Sequence, residues 1–440
     1  MILLFGLFLV EGFLCYSFGL SNSSESVCDT ASLILLPVNF IVAVMYLGER
    51  YRNYKGALFI FCVLSLLLKC LLILWDFYGT AIFVLPNSHS DTEAYHRGAI
   101  WFARNYSKAI EDYSYIVGWI YKLFGVQRIT AQYFNVLVSL LGIDLLERMM
   151  CKLELSERCR KIVLFLALFL PNYLIMASIL LRECLISVLL CLSLYCFIIW
   201  WKDRNLLGLA LAFVVSLAAC WLHAGSISVA LGYALILILT KRDETGRMKL
   251  NLSFRTLVYA VIFFIGFSYL FDVFSDSILR RFGGMAMEHI ENYVEEHHLY
   301  DAGETRSSTF SAGFSGVTGV KGLIINSPIR LIYFLWVPMP WMFRGVGDII
   351  AFFGSSLFYG GTALYAGWIL LRKNVSGKAL ILGVLMIGLA GALVFGWGID
   401  SAGSALRHRE KFYFVFLLLF ALLWQAKEDS SIEQGQKENE

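Results

Sequence analysis

Two carboxylates just beyond an apolar run are the first residues here whose type and place suit acid–base chemistry. Asp91 and Glu93 follow a run that ends near residue 75. A carboxylate that is partly withdrawn from water has a raised pKa and can act as a general base. We predict this catalytic role for Asp91, with Glu93 as the second candidate. The alternative is that Asp91 only caps the helix that follows it.

An arginine and a glutamate stand together inside apolar sequence. Arg182 and Glu183 lie between SILL and CLIS. A charge within a membrane span costs about 3 kcal/mol on insertion scales and usually faces an internal cavity. Arg182 offers a planar guanidinium to a phosphate oxygen, and Glu183 would orient it or an acceptor hydroxyl. A structural ion pair that joins two helix ends is the alternative.

Further cationic groups follow later apolar runs. His223, in WLHAGS, is either a substrate-binding residue or a capping or packing residue. Guanidinium groups suit bidentate binding of a diphosphate, whereas arginines that anchor headgroups are the alternative. The candidates for a cationic outer rim that binds substrate are Arg280, Arg281, Arg344, Arg407, His408 and Arg409, with Lys411 in the same basic run.

The composition is that of a membrane protein. Of 440 residues, 59% are hydrophobic and 16% are charged, against about 25% charged in soluble domains. The net charge of +3 and the lack of a basic stripe argue against nucleic acid as a partner. The ten cysteines lie mostly in apolar runs and show no metal-ligand spacing. The sequence has no Walker motif and no dinucleotide fingerprint, so we predict no metal site and no cofactor.

Apolar runs of about 20 residues predict an all-α, multi-pass fold with about twelve spanning helices. A multi-pass domain would occupy residues 1–424, and a disordered cytoplasmic tail residues 425–440. The predicted spans are 1–20, 31–48, 57–75, 128–147, 162–178, 180–200, 206–222, 225–239, 255–271, 350–371, 379–397 and 412–424.

Every second loop is rich in lysine or arginine, and such loops face the cytoplasm. We therefore predict that both termini are cytoplasmic and that the chain lies in the inner (plasma) membrane. Two long external segments result, 76–127 and 272–348. Within the second, residues 323–343 are apolar but contain Pro328, Pro338 and Pro340. We expect these prolines to break a span, and we predict a kinked interfacial or re-entrant element there.

These features together resemble a known family. The acidic first external loop, the Asp91–Tyr95 spacing, the GWIYKLFG helix, PNYLIMASILLRECL, WLHAGS and the PMPW element look like GT-C glycosyltransferases. Within that group they are similar to the Wzy-type polymerases of O-antigen and capsule. The resemblance implies that Asp91 is the acidic residue of the first loop that serves as catalytic base or metal ligand, with Glu93 second and Tyr95 in the substrate site. It also implies a glycan on undecaprenyl diphosphate as substrate, and other polysaccharide-assembly membrane proteins as partners.

Three other functions stay open. A transferase that adds single sugars would use the same groups. A flippase for lipid-linked oligosaccharide would also need a cationic cavity, but it predicts internal repeats and helices broken near the midplane, which the sequence lacks. A membrane O-acyltransferase would need a buried histidine reached from the cytoplasm, which fits His223 poorly.

Overall fold

The described part of the chain is helical apart from one small hairpin. The computed structural model describes residues 1–51, 56–89, 91–105, 111–242, 248–251, 253, 254, 256, 258, 261–262, 319–372, 377–399 and 401–437. Strands β1 (Thr240–Arg242) and β2 (Met248–Leu250) pair antiparallel, with Thr240 opposite Leu250. The predicted all-α class is therefore confirmed.

The helices α1 to α17 are Ile2–Ser17, Glu25–Arg50, Ala57–Tyr78, Asp91–Asn105, Asp112–Phe124, Arg128–Lys152, Glu157–Phe169, Pro171–Met176, Glu183–Asp203, Leu206–Leu222, Ile227–Leu239, Gly319–Trp336, Val346–Ala351, Leu357–Arg372, Lys378–Trp397, Ala402–Arg409 and Tyr413–Lys437. A π-helical turn, Phe352–Ser356, joins α13 to α14. The chain forms two compact units, Met1–Arg148 with Lys161–Val188, and Met149–Arg160 with Leu189–Glu440.

Six described helices are long and apolar enough to cross a bilayer, which supports a membrane protein. Each coincides with a predicted span, and three further predicted spans form the shorter apolar helices α1, α10 and α11. The total of about twelve stays a prediction. The six are Glu25–Arg50, Leu58–Tyr78, Arg128–Lys152, Glu183–Asp203, Val346–Leu371 and Lys378–Trp397.

The three remaining predicted spans, 162–178, 412–424 and 255–271, are not found as single apolar helices within the described residues. The span 162–178 is interrupted, because α7 ends at Phe169 and α8 begins at Pro171, whose ring and missing N–H prevent a continuous helix. The span 412–424 forms the first half of α17. Most of 255–271 lies outside the described residues.

In the structure, the segment predicted as a disordered tail at 425–440 is helical as far as Lys437, where α17 ends. Gln425 accepts a hydrogen bond from the Ser156 amide at 2.8 Å, and Glu428 accepts one from the Ser156 hydroxyl at 2.6 Å. Within the helix, Trp424 donates to Glu428 at 2.9 Å. Polar side chains extend the helix beyond the apolar span by bonding one another and the loop around Ser156.

The proline-rich segment 323–343 is partly as predicted. Helix α12 runs through Pro328, so this proline does not break it. The helix does end at Trp336, ahead of Pro338 and Pro340, and a short turn at Pro340–Met342 follows. Whether the segment is interfacial or re-entrant stays a prediction.

Helices α4 and α5 form a tightly packed hairpin in the first unit. The rings of Tyr95 and Tyr113 meet edge to face with centroids 5.1 Å apart, and the Ser114 hydroxyl donates to the Tyr95 carbonyl at 3.2 Å. The hairpin closes onto the turn between α1 and α2 at Gly125. This glycine has φ 83° and ψ 175°, a conformation almost confined to glycine.

Gly125→Ala is expected to destabilise the first unit by about 2 to 5 kcal/mol, since strain and overpacking add. A Cβ there would lie 2.6 Å from the Leu20 carbonyl oxygen and 2.7 Å from Cys28 Sγ. The matched control is Gly19→Ala, which has φ 77° but no atom within 4 Å of the new Cβ and should cost about 1 kcal/mol. Thermal unfolding in detergent measures both. Equal shifts would contradict the close approach at Gly125.

Candidate functional site

A group of charged side chains surrounds Arg128, the first residue of α6. Its guanidinium donates to Asp76 Oδ2 at 3.2 Å and also pairs with Glu93. Asp76 is buried near the end of α3, where it accepts hydrogen bonds from Gln132 and from Ser88, both at 2.6 Å. Because α3 ends and α6 begins here, the group lies at one end of two candidate spans.

Two polar atoms of this group have no hydrogen-bond partner within the described residues. They are Arg128 Nε, a donor, and Gln132 Oε1, an acceptor, and both are buried. They stand one helical turn apart on α6. A group that both donates and accepts, such as a water or a sugar hydroxyl, matches this pair chemically.

Glu93 and His96 show how Arg128 sets protonation at this boundary. Burial alone would raise the pKa of Glu93, but the hydrogen bond from Arg128 and its positive charge outweigh burial and lower it. Burial, reinforced by the charge of Arg128, lowers the pKa of His96 to about 4. The Tyr121 hydroxyl, whose pKa burial raises, donates to His96 Nδ1 at 2.6 Å. His96 is thus a neutral imidazole at pH 7.

Asp91 opens α4 and is half-buried. Residues two apart on a helix do not face each other, whereas residues four apart do. Asp91 therefore shares the side of α4 that carries Tyr95, and Glu93 faces Arg128 instead. The two predicted carboxylates have different surroundings.

Arg182 lies on that same side of α4. Its guanidinium carbon is 5.7 Å from the centroid of the Tyr95 ring, and its Nη1 reaches Glu111 Oε2 at 3.5 Å. Glu111 is not among the residues predicted from the sequence, and this contact adds it to the group. Glu183 is buried in the first turn of α9. The structure thus brings Tyr95 and Arg182 together, with Asp91 on their side of the helix.

Asn135 positions the backbone that precedes Arg182. Its amide nitrogen donates to the carbonyls of Ile179 and Leu181 at 2.8 and 3.0 Å, and its amide oxygen accepts from the Tyr113 hydroxyl at 2.9 Å. One buried side chain thereby connects α5, α6 and the segment before α9. The sequence analysis did not identify Asn135. The feature that could have identified it is an asparagine inside an apolar run.

In the second unit, two histidines flank an aromatic ring. His223, at the end of α10, has its ring centroid 4.9 Å from that of Phe395 and 5.2 Å from that of His408. The buried Lys411 ammonium lies 4.7 Å from the Phe395 centroid and is hydrogen-bonded to His408. Sequence reasoning missed Phe395 and did not select Lys411, although Lys411 belongs to the same basic run.

The hydrogen bonds assign the protons on these histidines. The Gly225 amide donates to His223 Nδ1 at 3.3 Å, and Lys411 donates to His408 Nδ1. A ring nitrogen that accepts carries no proton, so each neutral ring holds its proton on Nε2. Each histidine therefore carries an N–H group on Nε2, and His408 also pairs with Lys411. A histidine N–H and a lysine ammonium suit an anionic or oxygen-rich ligand.

Arg409 does not contribute to an exposed rim, which corrects that part of the sequence interpretation. It is fully buried, and burial lowers the pKa of its guanidinium to about 10. The guanidinium donates to the carbonyls of Phe334, Leu335 and Val337 at 2.7 to 3.0 Å. It thus satisfies carbonyls that the end of α12 leaves without partners in the helix.

The other rim candidates lie in different surroundings. Arg344 is exposed, and its backbone amide donates to Asp348 at 2.7 Å. Arg407 is half-buried beside His408 in α16. Arg280 and Arg281 lie outside the described residues. Of the predicted residues, Asp91, Tyr95 and Arg182 therefore share one region of the first unit, and His223 and His408 pack together in the second unit.

Among the described residues, no three His, Cys, Asp or Glu side chains are grouped so that they could hold a metal ion. No family model, curated protein or solved structure matches the chain.

The stability of the first unit is expected to fall as the pH drops from 6.5 toward 4. The unfolded chain takes up the His96 proton near pH 6.5, whereas the folded chain takes it up only near pH 4. The stability is complete above pH 6.5, and about 3 kcal/mol is lost by pH 4. Unfolding midpoints between pH 4 and 8 test this against His96→Gln, which keeps an acceptor for Tyr121 but does not titrate. Equal slopes in the two proteins would contradict it.

Arg409→Met should destabilise the second unit by about 3 to 5 kcal/mol, because buried carbonyls lose their donors. Glu410, which accepts from Ser355 and Tyr359 at 3.0 Å, would keep its buried charge beside an apolar side chain. The exposed Arg158 provides the matched control Arg158→Met, which should change stability by less than about 1 kcal/mol. Similar unfolding midpoints for the two variants would show that the buried guanidinium contributes little.

Proposed function

We propose that this chain is a membrane glycosyltransferase that acts on glycans linked to undecaprenyl diphosphate and polymerises the repeat units of a capsule or O-antigen. The observation that carries the proposal is the placement of Asp91, Tyr95 and Arg182 on one side of α4, at one end of the candidate spans. Glycosyl transfer needs a base for the acceptor hydroxyl and positive charge for the departing phosphate. This group supplies both types of residue.

Asp91 is a better candidate for the base than Glu93. Glu93 is paired with Arg128, and its pKa is lowered, which makes it a weaker base. Asp91 lies on the other side of the helix, toward Tyr95. The Tyr95 ring is buried against Tyr113 and Arg182, and its place in the substrate site stays in the proposal because of the resemblance. Glu93 would then position Arg128, whose buried Nε, with the buried Oε1 of Gln132 one helical turn further along α6, suits a hydroxyl group of the acceptor.

The proposed reaction is a displacement with inversion at the anomeric carbon. Asp91 takes the proton of the acceptor hydroxyl, and the acceptor oxygen forms a bond to the anomeric carbon. The bond from that carbon to the lipid diphosphate breaks, and the electron pair leaves on the diphosphate oxygen. Arg182 stabilises the charge that develops there, with Glu183 and Glu111 orienting its guanidinium. Atoms and charge balance without a cofactor.

The sequence also assigns substrate binding to four residues of the second unit, and this stays in the proposal for that unit by itself: His223, Arg344, Arg407 and His408. Within that unit, the rings of His223 and His408 lie 5.2 Å apart and Lys411 pairs with His408. Arg280 and Arg281 stay in the proposal on sequence grounds. The site would face away from the cytoplasm, with the chain in the inner membrane, both termini cytoplasmic, and other polysaccharide-assembly proteins as partners.

Transport of a lipid-linked oligosaccharide is the second candidate function, and interrupted helices favour it. Pro171 separates α7 from α8, and the π-helical turn Phe352–Ser356 interrupts a candidate span. Transporters commonly bind substrate at such breaks. In cells that lack this protein, single repeats held on the cytoplasmic side would favour transport. Single repeats on the outer side would favour polymerisation.

Asp91→Asn should insert normally but slow glycan extension by about 100-fold or more, because general-base catalysis contributes at least that much. Polymer length, measured on gels in a complemented deletion strain, reports the effect. The control is Glu154→Gln, whose carboxylate is 81% exposed, and it should give wild-type lengths. Wild-type chain lengths with Asp91→Asn would remove Asp91 from the mechanism.

A further inference from the structure

The outward surface of the α4–α5 hairpin carries large aromatic side chains. Trp101 on α4 is 57% exposed and Trp119 on α5 is 58% exposed. The Lys122 ammonium lies 4.4 Å from the centroid of the Trp119 ring and 4.0 Å from that of Phe102. We call Trp101, Trp119 and Lys122 the tryptophan surface. Indole rings are apolar apart from one N–H group, so exposed tryptophans beside a lysine suit an amphipathic environment.

Both ends of α4 are tethered to the ends of candidate spans. Near its start, Glu93 pairs with Arg128, the first residue of α6. Near its end, Arg104 donates to Glu25, the first residue of α2, at 2.8 Å. The hairpin therefore lies across the ends of the spans, at the depth where hydrocarbon gives way to headgroups.

Other exposed aromatic side chains lie at this same end of the first unit. Trp75 and Tyr78 close α3 and are 39% and 58% exposed. Tyr16 and Phe18, at the end of α1, are 58% and 82% exposed. Tryptophan and tyrosine concentrate at membrane interfaces, because their rings are apolar and their N–H or O–H groups are polar. The tryptophan surface continues this aromatic belt.

We propose that the tryptophan surface lies in the headgroup layer of the bilayer and contacts lipid there. The indole rings would rest among the glycerol and upper acyl groups, and Lys122 would bind lipid phosphate. This contact does not depend on the proposed transferase activity. The lipid contact would nevertheless affect the proposed activity, because α4 also carries Asp91 and would hold Asp91 at the depth of a lipid-linked phosphate.

A fluorophore at position 119 or 101 tests this depth directly. All ten cysteines are free, and Cys151 is the exposed one, so Cys151→Ser gives a background for selective thiol labelling. Trp119→Cys and Trp101→Cys are each labelled with an environment-sensitive dye and reconstituted in phosphatidylcholine–phosphatidylglycerol nanodiscs. Leu64→Cys, 44% exposed in the middle of α3, is the hydrocarbon control, and the exposed Ser431→Cys is the aqueous control.

Spin-labelled lipids and iodide should separate three depths. At positions 119 and 101, a headgroup spin label should quench at least twofold more than a spin label at the acyl-chain end, and iodide should quench at least twofold less than at Ser431→Cys. Leu64→Cys should show the reverse order for the two lipids. The proposal is overturned if iodide quenches these positions as strongly as position 431 while neither lipid acts.

Binding of a soluble glycan is the competing occupant. A change in dye emission on adding a neutral oligosaccharide, without quenching by spin-labelled lipid, would assign the surface to glycan and overturn the lipid contact. The two labelling positions lie on different helices, so one misfolded variant, recognised by size-exclusion chromatography, leaves the other informative. Because the readout contains no glycan transfer, its outcome is distinct from that of Asp91→Asn.

Discussion

The pairing of buried charge within the protein is the constraint on which this structure depends. Hydrocarbon offers no hydrogen-bond partners, so a charged group in or near a span must find them in the chain itself. Arg128 meets this condition with carboxylates, Asp76 and Glu93, and Arg409 meets it with backbone carbonyls. Each arginine joins elements that are distant in sequence. These buried charges therefore find their partners only when the elements pack together.

The first unit has a second charge network at the opposite end of α6. Arg50 donates to Asp144 at 2.6 Å and to Glu147 at 2.7 Å, and Arg148 donates to Asp144 at 2.8 Å. Both carboxylates are nearly inaccessible to solvent. With Arg128 at the beginning of α6, this network holds both ends of the helix. The candidate catalytic hairpin is thus anchored on a helix that has little freedom to slide.

The sequence predicted the helical class and the six long candidate spans, because these follow from local hydropathy and length. It also located Asp91, Glu93 and Arg182 near polar transitions. The polar contacts around these residues could not be predicted. Gln132 and Asn135 stand in an apolar run, and their hydrogen bonds to Asp76 and to the carbonyls of Ile179 and Leu181 join positions 44 to 56 residues apart. Arg409 was misplaced for another reason. Its closeness to Arg407 in the sequence suggested a shared surface, although residues two apart on a helix do not face the same way.

The register between α3 and α6 shows what polar residues inside spans contribute in return for the free energy that their desolvation costs. Asp76 bonds to Gln132, and seven residues earlier on α3 the buried Lys69 donates to Ser139 at 2.8 Å, seven residues later on α6. Seven residues are two helical turns, so both contacts lie along one antiparallel seam. In lipid, the hydrophobic effect does not favour one register of apolar side chains over another, because lipid is as apolar as they are. The polar pairs do favour one register, since a shift of one turn would separate the Lys69 ammonium from Ser139 and the Asp76 carboxylate from Gln132. The seam therefore selects one register, and that register brings Arg128 to Glu93 and sets the position of α4.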